Sequence, residues 1–348
     1  LRKKEVRSLQ ISEFFERDTP AAILAWGQLG TSLAKTTYGL LRHSRVLKPV
    51  CVIAEHEEKR ITDFVWPVKF NVPIVNSVDK AVRLGAKVLI IGISNVGGYL
   101  PDELTHHLLR AIEYDLDIVS GLHLKLSETE PFVTASRLTK SRIIDIRHHR
   151  DRLRIFNGEI FSSKTIRVCV LGTDCATGKR TTAIQLWEAA LKKNLPAAFL
   201  ATGQTGIMIG ADEGVAIDAL PSDFVPGVIE GLILKLEQNG KRLIFVEGQG
   251  ALRHPAYGQV TLGLVYGSMP QYAIMVHEPK RNNFEFFEKI PLKPDPCKEI
   301  QLLQQIVKTD VLGISCLDKD YRLGDYPVFN PFDERQLSQV ISELEVNL

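Results

Sequence analysis

One segment constrains this chain more than any other: Val168-Cys-Val-Leu-Gly172-Thr-Asp174-Cys-Ala-Thr-Gly178-Lys179-Arg180-Thr181-Thr182, an apolar strand, a glycine-bounded loop and the start of a helix. Gly172 and Gly178 let the backbone turn until successive N–H groups point at phosphate oxygens. The following helix adds its N-terminal dipole, and Lys179 adds a point charge. This is the pattern of a phosphate-binding P-loop, and the strand and helix that flank it require an α/β sheet around it. The expected cofactor contacts are Gly172, Thr173, Asp174, Gly178, Lys179, Arg180, Thr181 and Thr182. Two details depart from the common pattern. Gly172 lies one residue further from the lysine than usual, and Arg180 stands where a Ser or Thr ordinarily meets Mg²⁺. Thr181 or Thr182 is left for the metal, or Arg180 adds a second, forked phosphate contact.

The rest of the chain has the same rhythm. From Ala21 onward, short Val- and Ile-rich runs alternate with longer amphipathic stretches, the pattern of parallel strands joined by helices. Strands are predicted at Ala21–Ala25, Val50–Ala54, Pro73–Val75, Val88–Ile93, Asp117–Ser120 and Arg142–Ile146. A second set follows at Ile166–Leu171, Ala197–Ala201, Leu243–Val246, Ala273–Val276 and Val311–Ser315. Between the sets, residues 147–164 lose the rhythm. With 348 residues and 45% apolar side chains the chain can bury two cores. Two α/β domains are therefore expected: a Rossmann-like domain over residues 1–155 and a P-loop nucleotide-binding domain over residues 156–348.

Charge narrows the partners. The 43 basic and 41 acidic residues leave a net charge of +2, with no broad positive field for a polyanion. The one basic cluster, His148, His149, Arg150, Arg152 and Arg154, has no interleaved aromatic residues to stack on bases, and reads as a solvated linker. Neither nucleic acid nor membrane is expected. Five scattered cysteines without C-x-x-C pairing, and no apolar run of membrane-spanning length, point to a cytoplasmic protein. A homo-oligomer is consistent with the symmetry common among enzymes.

A second chemical segment is Arg242-Leu-Ile-Phe-Val-Glu247-Gly-Gln-Gly-Ala-Leu-Arg253-His254. A carboxylate at the carboxyl end of a strand is where a P-loop domain holds Mg²⁺, so Glu247 is a metal candidate. Arg253 suits an anionic substrate, and His254 or Glu247 suits general acid–base catalysis. Between the two sites, Ala201-Thr-Gly-Gln204-Thr205-Gly-Ile-Met-Ile-Gly-Ala-Asp212 reads as a loop wrapped round a ligand. Its expected contacts are Gln204 and Thr205, with Asp212 at the metal.

In the first domain, Trp26-Gly27-Gln-Leu-Gly30 follows a strand, and Glu55 ends the next one. That is the opening of a dinucleotide fold without its third glycine, so a bound dinucleotide and a plain scaffold both remain open. Gly92, Gly97, Gly98 and the Ser120–His123 turn follow later strands and would face the same edge.

Gly172-Thr-Asp-x-x-x-Gly178-Lys179 and Val246-Glu247-Gly-x-Gly250 resemble the nucleotide and acidic loops of dethiobiotin synthetase. A broader resemblance spans nearly the whole chain. Ala25-Trp-Gly-Gln-Leu-Gly-Thr, the P-loop, Ala201-Thr-Gly-Gln-Thr-Gly and Val246-Glu-Gly-Gln-Gly-Ala-Leu-Arg-His-Pro-Ala-Tyr are similar to a two-domain family long classed as of unknown function. One branch of that family is described as D-glutamate N-acetyltransferase. The resemblance implies acetyl transfer from acetyl-CoA to the amine of D-glutamate, a small amino acid. The residues alone leave open an ATP- and Mg²⁺-dependent ligase or kinase acting on a small carboxylate, and a non-catalytic nucleotide switch.

Overall fold

The computed structural model describes residues 9–94, 100–148, 153–285 and 287–348. The predicted Gly97 and Gly98, and His149, Arg150 and Arg152 of the basic cluster, lie outside them. The described chain divides into two compact units, residues 9–148 with 204–210, and residues 153–203 with 211–348.

The first unit is a parallel sheet with helices. Its elements are β1 (Thr19–Leu24), α1 (Lys35–His43), β2 (Leu47–Ile53), β3 (Ile74–Val75), α2 (Val78–Arg83), β4 (Val88–Ile91), α3 (Asp102–Glu113), β5 (Asp117–Ser120), α4 (Phe132–Arg137) and β6 (Ile143–Asp145). The six strands run in the order β3-β2-β1-β4-β5-β6, every pair parallel. Chain direction across the sheet reverses between β1 and β4, the topological switch point of a Rossmann-like fold. One face packs Ala22, Leu24, Leu89 and Ile118 against Leu104, Leu108 and Ile112 of α3. Each such buried aliphatic side chain contributes roughly 1.5–3 kcal/mol.

The second unit comprises β7 (Ile166–Gly172), α5 (Lys179–Lys192), β8 (Ala197–Ala201), β9 (Glu213–Gly214), α7 (Val225–Gln238), β10 (Leu243–Glu247), α8 (Gly258–Ser268), β11 (Tyr272–Val276), α9 (Pro296–Ile306), β12 (Asp310–Ser315), β13 (Val328–Phe329) and α10 (Glu334–Glu345). Its seven strands are ordered β13-β12-β11-β7-β10-β8-β9, again all parallel. β7, β8 and β10 are buried along their whole length. That is why they read as continuous apolar runs rather than alternating ones. The central β7 lies between β10 and β11, so the loops that leave β7 and β10 emerge side by side.

Three local readings change. The segment expected to be a ligand-wrapping loop is instead a short helix, α6 (Gln204–Ile209), with every residue buried. It groups with the first unit. The apolar Ile207-Met208-Ile209 needs cover, and the glycine count concealed it. Arg154, expected on a solvated linker, pairs with the fully buried Glu230 of α7 at 3.1 Å. Glu230 also accepts from the amides of Asn157 and Ile160, so the segment is stapled down. Lastly, β9 is a two-residue strand that no apolar run in the sequence marks.

Candidate functional site

The P-loop is built by the meeting of β7 and α5. Gly178 opens α5 at φ +105°, a conformation that strains any residue with a Cβ. A Cβ on Gly172 would fall 3.0 Å from Cγ and Cδ of Lys179, so the lysine stem crosses directly over that glycine. The buried Lys179 ammonium donates to the carbonyl of Asp174 within its own loop. Two hydroxyls expected at the cofactor pack the loop onto neighbouring strands. Thr173 Oγ1 lies 3.0 Å from His277 Nδ1, and Thr182 Oγ1 lies 2.8 Å from Ser315 Oγ. Thr181 stands in the first turn of α5.

Asp174 is a hub rather than a surface contact. Its fully buried carboxylate accepts from Cys175 N at 2.6 Å through Oδ1, and from Arg281 Nη1 and Glu285 N at 2.8 Å each through Oδ2. Arg281 also donates to the Cys175 carbonyl at 2.7 Å. His254 Nε2 faces Oδ1 from 3.6 Å, too far for a hydrogen bond. Asp174, Cys175 and His254 bring one potential ligand atom each within 4.8 Å of one another, the single such group among the described residues. The proton assignment argues against a metal there. Ala256 N donates to His254 Nδ1 at 3.1 Å, which puts the imidazole proton on Nε2, so Nε2 is a donor and not a ligand. Arg281 already occupies the other carboxylate oxygen, Oδ2.

His254 is enclosed by Tyr257, Phe284 and Phe287 at ring distances of 4.8, 4.7 and 5.0 Å. Burial lowers its pKa, opposed by Asp174 and aided by Lys179, so the imidazole stays neutral at pH 7. Its side chain has no exposed surface.

Glu247 ends β10, opposite Val170 of β7 in register, which sets its carboxylate beside the P-loop strand. Oε2 accepts from Thr202 N at 3.1 Å and Gly203 N at 3.3 Å. Burial raises its pKa, opposed by Arg180, those two amides and Lys179. Gly248 is forced at the next position, since a Cβ would lie 2.2 Å from the Val170 carbonyl oxygen. The loop then turns to Arg253, whose Nη1 donates to Lys293 O at 3.2 Å. The Leu252 and Arg253 amides donate to the buried carboxylate of Glu299 on α9, at 2.9 and 3.0 Å.

The structure thus brings together the P-loop residues, Glu247, Arg253 and His254. Other expected contacts are engaged elsewhere. Gln204 accepts from Arg147 at 2.9 Å and Thr205 pairs with Thr36 at 2.8 Å, both within the first unit. Asp212 lies 3.8 Å from Lys241 and accepts at 2.9 Å from the amide of Phe199, which sits two residues short of the carboxyl end of β8. In the first unit, Glu55 accepts from Gly27 N at 2.6 Å. The acid expected at a ribose therefore occupies an amide of the glycine turn. Sequence reasoning missed Arg281 and Glu299, which lie in charged stretches without a motif.

Two family models match the chain: a domain of unknown function (DUF1611_C), P-loop domain, over residues 154–325, and a domain of unknown function (DUF1611_N), Rossmann-like domain, over residues 54–149. A D-glutamate N-acetyltransferase of a Pseudoalteromonas species is 38% identical over 207 residues, covering 60% of this chain and 61% of that relative. Another, from Tritonibacter scottomollicae, is 35% identical over 207 residues with the same shares. The chain thus matches about three-fifths of the length of these curated relatives. The crystal structure of a DUF1611 family protein from Anabaena variabilis superposes with a TM-score of 0.84 at 27% identity, covering 94% of this chain and 100% of that one.

Proposed function

The chain belongs to the two-domain DUF1611 family, and from that premise we propose that it N-acetylates a small dicarboxylic amino acid, D-glutamate, using acetyl-CoA. The observation that carries the reading is the pairing of an anion cradle with a buried base: the Gly172–Lys179 loop beside Glu247.

The loop fits a phosphate. Its glycines open the cradle, and the Lys179 ammonium is already drawn into it. Acetyl-CoA, when bound, supplies the acetyl group as a thioester together with phosphates for the loop. Arg253 pairs with an acceptor carboxylate, for which a guanidinium is the suited partner. As the acceptor amine forms its bond to the thioester carbonyl carbon, Glu247 would take the amine proton; the C–S bond would then break and CoA leave as the thiol, protonated from Glu247. Its raised pKa makes it a stronger base than an exposed carboxylate. His254 is enclosed by the rings of Tyr257, Phe284 and Phe287, and its proposed part is to hold the 254–257 turn.

The second reading, an ATP- and Mg²⁺-dependent ligase with Glu247 and Thr181 at the metal, draws support from the P-loop itself. Thermal-shift titration separates the two, because a ligand specific to the native state raises the melting temperature. Stabilisation by acetyl-CoA without metal supports acetyl transfer. Stabilisation by ATP only with Mg²⁺ favours the ligase.

A further inference from the structure

Glu299 is a carboxylate with 1% exposure in the first turn of α9, a helix capped by Asp295. Its two oxygens take separate amides: Oε2 accepts from Leu252 N at 2.9 Å and Oε1 from Arg253 N at 3.0 Å. The same stretch of chain holds the Arg253 side chain as well, since Lys293 O, just before α9, accepts from Nη1 at 3.2 Å. Arg253 is therefore held at both its backbone and its guanidinium by the segment that leads into α9. The remaining guanidinium donors are left for a ligand. The charges of Arg253 and Lys179 both act on Glu299, which puts this carboxylate in the field of the P-loop lysine.

We propose that Glu299 is a positioning residue: by binding the Leu252 and Arg253 amides it presents the Arg253 guanidinium to a carboxylate of the acceptor amino acid. This rests on the acetyl-transfer reading for the identity of the acceptor, although the positioning itself does not. Geometry makes the role specific to an acid. A Gln at 299 would turn its amide NH₂ toward one of the two N–H groups, and the donor–donor contact would release that peptide. An Asp keeps both acceptors on a shorter arm.

Steady-state kinetics on the full chain at pH 8, where the Glu299 carboxyl is ionised, compares wild type with Glu299→Gln and Glu299→Asp, using acetyl-CoA and D-glutamate. The expected result is a KM for D-glutamate raised about tenfold or more in Glu299→Gln, the loss of about one hydrogen bond to a charged group. kcat should stay within about threefold, and Glu299→Asp should fall between. A folded Glu299→Gln with unchanged KM, or with kcat reduced at constant KM, overturns the proposal. Hydrogen exchange reads the positioning independently of any turnover. Glu299→Gln should speed exchange of the Leu252 and Arg253 amides by about tenfold or more. Unchanged protection of those two amides overturns it. Wild type that protects both amides yet acetylates nothing leaves the positioning intact and counts against the acetyl-transfer reading. If Glu299→Gln does not fold, Glu299→Asp is read by the same two measurements.

Discussion

Arg281 and Asp174 are joined by a 2.8 Å hydrogen bond from Nη1 to Oδ2, and that carboxylate lies inside the P-loop. Asp174 also accepts from the Cys175 and Glu285 amides, so one buried side chain ties the loop to the segment that carries Arg281. Removing it leaves the Cys175 and Glu285 amides unsatisfied, while Arg281 keeps its ion pairs with Glu278 and Glu285. Asp174→Ala should therefore lose about 2–4 kcal/mol of stability in urea unfolding, the cost of two unsatisfied amides. A loss below about 1 kcal/mol would mean the hub is not structural.

Lys179 crosses Gly172 and points its ammonium into the loop. Lys179→Ala should weaken the Kd for the phosphorylated cofactor by at least about tenfold, the loss of one charge-assisted contact. Lys179→Ala also removes the stem packed over Gly172, so Lys179→Met, which keeps that bulk, separates the charge from the packing. Calorimetric titration checks it, and undiminished affinity would remove the basis for the P-loop assignment.

Glu247→Gln keeps an acceptor for the Thr202 and Gly203 amides while removing the base. kcat should fall by about 10²–10⁴, with cofactor affinity within about threefold of wild type. Turnover at the wild-type rate would exclude Glu247 as the base.

Burial pushes the Glu299 carboxyl up from 4.5 to about 7, against the pull of two amides, Arg253 and Lys179. The folded state then holds a proton that the unfolded chain releases near pH 4.5. Between that pH and about 7 the native state binds more protons, so this group's contribution to stability falls as pH rises and levels off above pH 7. Urea unfolding at pH 5 and pH 8 should show wild type losing on the order of 1–3 kcal/mol more than Glu299→Gln across the interval. An equal loss in both proteins would place the titration elsewhere.

The sheets were legible because their central strands are buried on both faces, leaving unbroken apolar runs such as Val168–Leu171 and Leu243–Val246. The P-loop and Glu247 were legible because glycines and a strand-terminal acid carry local meaning. Three-dimensional partnerships were not. Nothing near Gln204 announces that Arg147 and Thr36 will claim it and Thr205, and Glu299 reads as an ordinary charge on an amphipathic helix. Asp174 looked like one loop residue among several, because its partner lies 107 positions along the chain. His254 carried the right chemistry for a base, but three aromatic rings decide its access.

The most direct test is to incubate the purified protein with acetyl-CoA and D-glutamate, without ATP or Mg²⁺, and follow N-acetyl-D-glutamate and free CoA thiol by mass spectrometry. The account predicts both products in equal amounts, a marked preference over L-glutamate, and loss of the reaction in Glu247→Gln. No acetylated product, with turnover of ATP·Mg²⁺ in the presence of a small carboxylate instead, would contradict it.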